Sequence, residues 1–143
     1  MKTHGAALIL ATVVLLAGCA SSKAQLLASS KSQLALRSIQ SRAFDTTDRE
    51  RTLRTVVATL QDLGFLIEQA SLPVGSVTGT KLGQSFGFYS LRMTVSVRAR
   101  GESQLLVRAN AQFNIREVAN PEPYQQFFAA LSKAMFLEAQ QVD

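Results

Sequence analysis

The stretch from Tyr89 to Arg116 leaves this chain the fewest choices. In Tyr89–Arg100, Leu91, Met93, Val95, Val97 and Ala99 alternate with Arg92, Thr94, Ser96, Arg98 and Arg100. In Gln104–Arg116, Leu105, Val107, Ala109, Ala111, Phe113 and Ile115 alternate with mostly polar residues. Strict alternation over such lengths predicts two antiparallel strands with one dry face and one wet face. Their register follows from parity. Side chains switch faces at every residue, so directly opposite residues must share a face. The inward residues are odd-numbered on both strands, which demands an odd loop length, and Gly101-Glu102-Ser103 is the shortest that fits. Ala99 then faces Leu105, Val97 faces Val107, Val95 faces Ala109 and Met93 faces Ala111. On the wet side Arg92 faces Gln112, Arg98 faces Leu106 and Ser96 faces Arg108.

A sheet with one dry face has to cover it, and the sequence supplies two amphipathic helices. The first is expected over 47–63. Thr47 and Glu50 form a capping-box pattern and Asp48 lies in the first turn, where the helix dipole favours it. Leu53, Val56, Val57, Leu60 and Leu63 fall on one stripe. Gly64 ends the helix as a left-handed cap, and Phe65 packs back on the last turn. The second begins near Asn120-Pro121-Glu122-Pro123, proline being tolerated in a first turn. Its stripe is Tyr124, Phe127, Phe128, Leu131, Ala134, Met135 and Glu138.

Three short strands complete the expectation. Leu34–Phe44 alternates imperfectly, Phe65–Ala70 is bounded by the turn Leu72-Pro73-Val74-Gly75, and Ser76–Lys81 follows. Leu82–Gly87 reads as a mobile loop. The fold class expected is α+β: a two-layer sandwich, with an antiparallel sheet of four or five strands, two helices on one face, and the order β-α-β-β-β-β-α.

The beginning of the chain has a different character. Lys2 precedes an apolar run from Ala6 to Leu16, broken only by Thr12. The run is short for a spanning helix, which needs about 20 residues, and it suits the apolar part of a signal peptide. It ends in Leu16-Ala17-Gly18-Cys19, which looks like a bacterial lipobox, cut just before the cysteine. The alternatives are an ordinary secretory signal with a chance cysteine, or an N-terminal anchor. The lipobox reading makes residues 1–18 a signal peptide, Cys19 a lipidation site and 34–143 the folded domain. Residues 19–33, rich in Ser, Ala, Lys and Gln, are then a flexible tether or, alternatively, a short helix. Two or three acyl chains on Cys19 would anchor the protein stably, since one chain alone binds reversibly. Ala20 stands where an inner-membrane retention signal would place Asp. That resemblance implies the outer membrane, with the domain facing the periplasm.

Composition removes several classes of chemistry. Cys19 is the only cysteine and His4 the only histidine, and His4 lies in the signal peptide. The mature chain therefore offers no Cys/His metal site, no His-activated nucleophile and no internal disulfide, and no cofactor is expected. The only plausible acid–base groups left are Asp45, Asp48, Glu50, Asp62, Glu68, Glu102, Glu117 and Glu122. No sequence-close pair among them has a reason to converge, so an enzyme is not expected. Of the 15 Lys+Arg only Lys2 lies in residues 1–18, and none of the 10 Asp+Glu does, so the mature net charge is +4 rather than +5. That is modest, and no aromatics interleave with the arginines as a nucleic-acid surface would require.

Arg37-Ser38-Ile39-Gln40-Ser41-Arg42-Ala43-Phe44, Leu60-Gln61-Asp62-Leu63-Gly64-Phe65, and Tyr124-Gln125-Gln126-Phe127-Phe128 running on to Phe136-Leu137-Glu138 resemble stretches of small outer-membrane lipoproteins of Gram-negative bacteria. The order of elements also looks like the helix-grip domains of lipoproteins that assist the outer-membrane protein assembly machine. The resemblance implies a periplasm-facing lipoprotein and brings no catalytic residues.

Two candidate sites remain. Arg92, Arg98, Arg100, Arg108 and Arg116 form either a docking face, for acidic protein or phosphate-bearing lipid, or a solvated face that keeps the sheet soluble. Phe86 and Phe88, between glycines, form either a partner-binding tip or a connection folded onto the core edge. The function expected is a non-enzymatic accessory or scaffold of an envelope assembly for outer-membrane protein assembly, secretion or efflux. It would be held on the membrane through Cys19 and bound to a protein partner. The alternative is a binder of a lipid or small apolar ligand between the sheet and the C-terminal helix. It turns on whether the small residues Ala109, Ala111, Ala130 and Ala134 leave a cavity.

The anchor has a direct test. Cys19→Ser is expected to abolish incorporation of labelled fatty acid and to release a soluble or uncleaved chain. An unmodified thiol in the mass spectrum of membrane-purified protein would refute the lipobox reading.

Overall fold

The computed structural model describes residues 32–83 and 89–140, with side chains for 32–83 and 90–137. The expected signal peptide, Cys19 and most of the expected tether lie outside the described residues. Residues 32–39 are helical (α1). They are followed by β1 (Ser41–Phe44), α2 (Arg49–Asp62), β2 (Leu66–Ser71), β3 (Ser76–Gly83), β4 (Tyr89–Arg100), β5 (Gln104–Phe113), β6 (Arg116–Glu117) and α3 (Glu122–Gln140). The sheet is antiparallel and six-stranded, in the order β1-β5-β4-β3-β2, with β6 also on β5. The α+β class is as expected, with one helix at the start and one short strand beyond the expected order.

The β4–β5 register is the one derived from parity. Ala99 pairs with Leu105, Val97 with Val107, Val95 with Ala109 and Met93 with Ala111, across a turn at 101–103. The inward row is buried, with Val95, Val97, Val107, Ala109 and Ala111 fully inaccessible to solvent. It forms one core with Leu53, Val56 and Leu60 of α2 and Tyr124, Phe127, Phe128 and Leu131 of α3. Both α2 and α3 therefore lie on the same face of the sheet, and neither covers the other face.

The helix α2 begins one residue later than its capping box implied. Asp48, not Thr47, is the N-cap, and its carboxylate accepts from Arg51 N–H at 2.9 Å. A carboxylate at this position satisfies an orphan amide and meets the positive end of the helix dipole, two effects that a threonine cap only half supplies. The apolar stripe is inward as expected. Thr52, Thr55 and Thr59 are buried beside it, and each hydroxyl donates to the carbonyl four residues back, so no polar atom is stranded. At the other end Phe65 N–H donates to Leu60 O at 2.9 Å and Gly64 N–H to Gln61 O at 2.8 Å. This is the paired Schellman closure, with Gly64 at φ +83°.

Two expectations fail. Leu34–Phe44 is not one strand: residues up to Ile39 are helical, Gln40 N–H closes on Leu36 O at 3.1 Å, and only Ser41–Phe44 joins the sheet. Gln, Leu, Ala and Arg favour helix intrinsically, and only Ile39 of this stretch packs against the core. Residues 32 and 33, assigned to the tether, are part of that helix. The second failure is at the end of β5. Asn114 takes a left-handed conformation with φ 54°, the chain turns, and Ile115 is 92% exposed instead of facing inward. Asn114 Oδ1 accepts from Ser90 N–H at 3.0 Å, so the turn is tied to the start of β4. Asparagine tolerates this backbone better than other side chains do, which alternation alone does not reveal.

The β2–β3 turn contains the tightest approach in the fold. Gly75 has φ +74°, and the Arg49 guanidinium lies over its Cα while donating to Pro73 O at 3.1 Å. A methyl at Gly75 would overlap that guanidinium, whereas at Gly64 it would meet only the flexible end of Lys81 at 3.6 Å. Gly64→Ala should therefore cost only the left-handed strain, about 1–2 kcal/mol. Gly75→Ala should cost that plus the displacement of Arg49. Thermal denaturation of both variants checks the ranking, and equal losses would show that Arg49 yields freely.

Candidate functional site

The face of the sheet away from α2 and α3 is largely polar, with Leu106 in its middle and exposed Leu66 and Leu82 on β2 and β3. Arg92 lies opposite Gln112 and Thr80, Arg98 opposite Leu106, Arg100 opposite Gln104, and Arg108 opposite Ser96 and Ser41. All four arginines are exposed. Their rows are filled with hydroxyls and amides: Ser41, Ser76, Thr78, Thr80, Thr94, Ser96 and Asn110. Thr78 and Thr94 share a hydrogen bond at 3.2 Å, and Arg108 Nε donates to Ser41 Oγ at 3.3 Å.

The arginines are not equivalent. Arg92 has a carboxylate beside it, with its Nη2 3.3 Å from Glu68 Oε2. Thr80 donates to the same carboxylate at 2.6 Å. Arg98 and Arg100 have no ion-pair partner among the described residues. They sit two apart on β4, about 7 Å between Cα atoms, and Arg108 lies one step diagonally across from Arg98 at about 7–8 Å. Arg98, Arg100 and Arg108 thus gather toward the β4–β5 turn, near Glu102 of that turn and the Asp45 carboxylate on Gln104, while Arg92 is paired with Glu68.

Arg116 does not belong to this group. The turn at Asn114 puts it on β6, paired with Phe113, so it leaves the alternation that placed it with the other four. The loop residues Phe86 and Phe88 lie outside the described residues.

Sequence reasoning missed Arg42. It stands opposite Val107 and so on the helix side of the sheet. Its Nη1 donates to Phe128 O at 3.1 Å and to Ser132 Oγ at 3.0 Å, and its guanidinium carbon is 5.1 Å from the centre of the Phe128 ring.

The carboxylates considered as acid–base groups are dispersed. Asp48 caps α2, Glu50 pairs with Arg54, Asp45 accepts from the Gln104 amide, and Glu117 accepts from Gln40 at 3.1 Å. Among the described residues no three of His, Cys, Asp and Glu come together as metal ligands would. No described helix is long and apolar enough to cross a membrane. No protein-family model and no curated protein matches this chain.

Among the described residues Glu68 is the one carboxyl with a resolved shift. The Thr80 hydrogen bond holds it below the usual glutamate value; desolvation opposes this, and the charge and hydrogen bond of Arg92 add to the lowering. A carboxyl shifted downward adds its stabilisation above its unfolded pKa and loses it as pH falls through the folded value. The carboxylate is solvent-exposed, so the effect on stability is small. Thr80→Val is expected to raise the Glu68 pKa in a carbon-detected NMR titration by more than Arg92→Gln does. The reverse order would make charge, not the hydroxyl, the dominant cause.

Proposed function

We propose that this chain is a non-enzymatic accessory of an envelope assembly, anchored through lipidated Cys19 on the periplasmic side of the outer membrane. It docks through the bare face of its sheet onto an acidic surface of a protein partner. The observation that supports this reading most is the cluster of Arg98, Arg100 and Arg108. Three exposed cations share one end of a flat, hydroxyl-rich face, and neither Arg98 nor Arg100 has a described counter-ion. Spread guanidinium groups on a rigid sheet suit a broad acidic partner, where complementary charge sets association rate and register. They suit a single-phosphate pocket poorly.

The alternative, a ligand held between sheet and α3 over small residues, has less support. Ala109 and Ala111 are fully buried, and the space over Ala111 is occupied by Tyr124, whose hydroxyl accepts from Ala111 N–H at 3.2 Å. Large aromatics fill what an open cavity would need.

Crosslinking in the native envelope followed by purification of the lipidated protein tests the proposal. The double reversal Arg98→Glu with Arg108→Glu should lose the partner recovered with the unaltered chain. Its melting temperature should barely change, because surface substitutions usually stay within about 0.5 kcal/mol. Full retention of that partner by the reversed protein would remove the arginine face from the interface.

A further inference from the structure

We propose that the cleft between β1 and the C-terminal half of α3 binds a single-chain anionic amphiphile, an alkyl chain with a carboxylate or phosphate head. The site is on the helix side of the sheet, so it is independent of the docking face.

The cleft encloses about 540 Å³ and is lined in part by Arg42, Phe44, Asp45, Arg51, Met135 and Phe136. That volume falls within the range typical of small-molecule sites, which pair apolar walls with a few fixed polar groups. Here the fixed group is Arg42. One nitrogen of its guanidinium is bound to Phe128 O and Ser132 Oγ, and the ring of Phe128 supports its plane. The ordering cost of this long side chain is therefore met before any ligand arrives. A guanidinium has five N–H donors. Those on Nε and Nη2 have no acceptor among the described residues. A carboxylate or phosphate accepts two parallel hydrogen bonds from such a fork.

The charge around Arg42 points the same way. The walls carry two guanidinium groups, Arg42 and Arg51, and one carboxylate, Asp45. That balance favours an anionic head over a cationic one.

The apolar part of the cleft explains the chain. Phe44 and Met135 are half-buried and packed against the core, and they continue outward into Phe136, which is 64% exposed. A large apolar side chain left in water at the rim of the cleft is costly, and an alkyl chain laid along it would remove that cost. Methionine adapts readily to a flexible chain.

The test uses the full chain in its own membranes and three photoactivatable probes bearing the same dodecyl chain: a carboxylic acid, a lysophosphatidylglycerol and an alcohol. Mass spectrometry locates the label. Label on the segments containing Phe44, Met135 and Phe136 is expected from the anionic probes, with the alcohol weaker by about tenfold, the loss of one charge-assisted hydrogen bond. Labelling by the acid alone identifies a fatty acid, by the lysolipid alone a phospholipid, and by both a site that reads only charge; each supports the proposal. Arg42→Gln also removes a structural contact, so exposed Arg51→Gln and Phe136→Ser serve as the deciding variants, and each should lower cleft labelling. Equal labelling by the alcohol, label confined to other segments, or unchanged labelling in both exposed variants would overturn the proposal and leave Arg42 as a guard of the β1 edge.

Discussion

The fold turns on a single buried hydroxyl. The edge of β5 is shared by two short strands, β1 and β6, which do not meet. Between them β5 would expose unpaired backbone to the core. The hydroxyl of Tyr124, fully buried, accepts from Ala111 N–H at 3.2 Å and donates to Val118 O at 2.8 Å. The Gln40 amide donates to it at 3.4 Å. One side chain thus ties α3, the gap in β5, the segment after β6 and the end of α1. An unsatisfied buried amide is among the costlier defects in a small domain, and it is avoided here by a residue whose ring simultaneously fills the space over two alanines.

That arrangement also explains why small residues occupy the middle of β5. Val95 and Met93 face Ala109 and Ala111 across the pair, and the space those alanines leave admits Tyr124 with Phe127 and Phe128, whose rings meet edge-on at 5.1 Å. Large on one strand, small on the next and aromatic above is how a close-packed layer fills without voids. The alanines serve packing, in keeping with the proposed role as a docking module.

How much of this was readable in the sequence differed from element to element. The β4–β5 register followed from parity because one face of each strand is buried, and a one-residue slip would expose every valine. The helix α2 was legible from its stripe and its glycine stop. Residues 34–40 were not, because a single apolar core contact at Ile39 leaves periodicity little to act on. The placement of Arg116 failed at Asn114, where one left-handed residue ended a strand whose hydrophobic pattern ran on. The arginine face was visible as a pattern, and its asymmetry was not, since Glu68 reaches Arg92 only through the pairing of three strands. Arg42 and the Tyr124 hydroxyl were hidden because part of their bonding is to backbone atoms, Phe128 O for the one and Ala111 N–H and Val118 O for the other, which no side-chain pattern records.

The two outer strands of the sheet differ in how they end it. β1 is four residues long and turns an arginine toward the helices; β2 is longer and is interrupted by an irregularity between Ile67 and Gln69. A regular strand at either border would offer a row of amides and carbonyls to any neighbouring copy, and chains held side by side on a surface meet far more often than chains in solution. A strand too short and a strand out of step both make poor templates. The borders of this sheet therefore give a second copy of the chain little to extend as one continuous sheet.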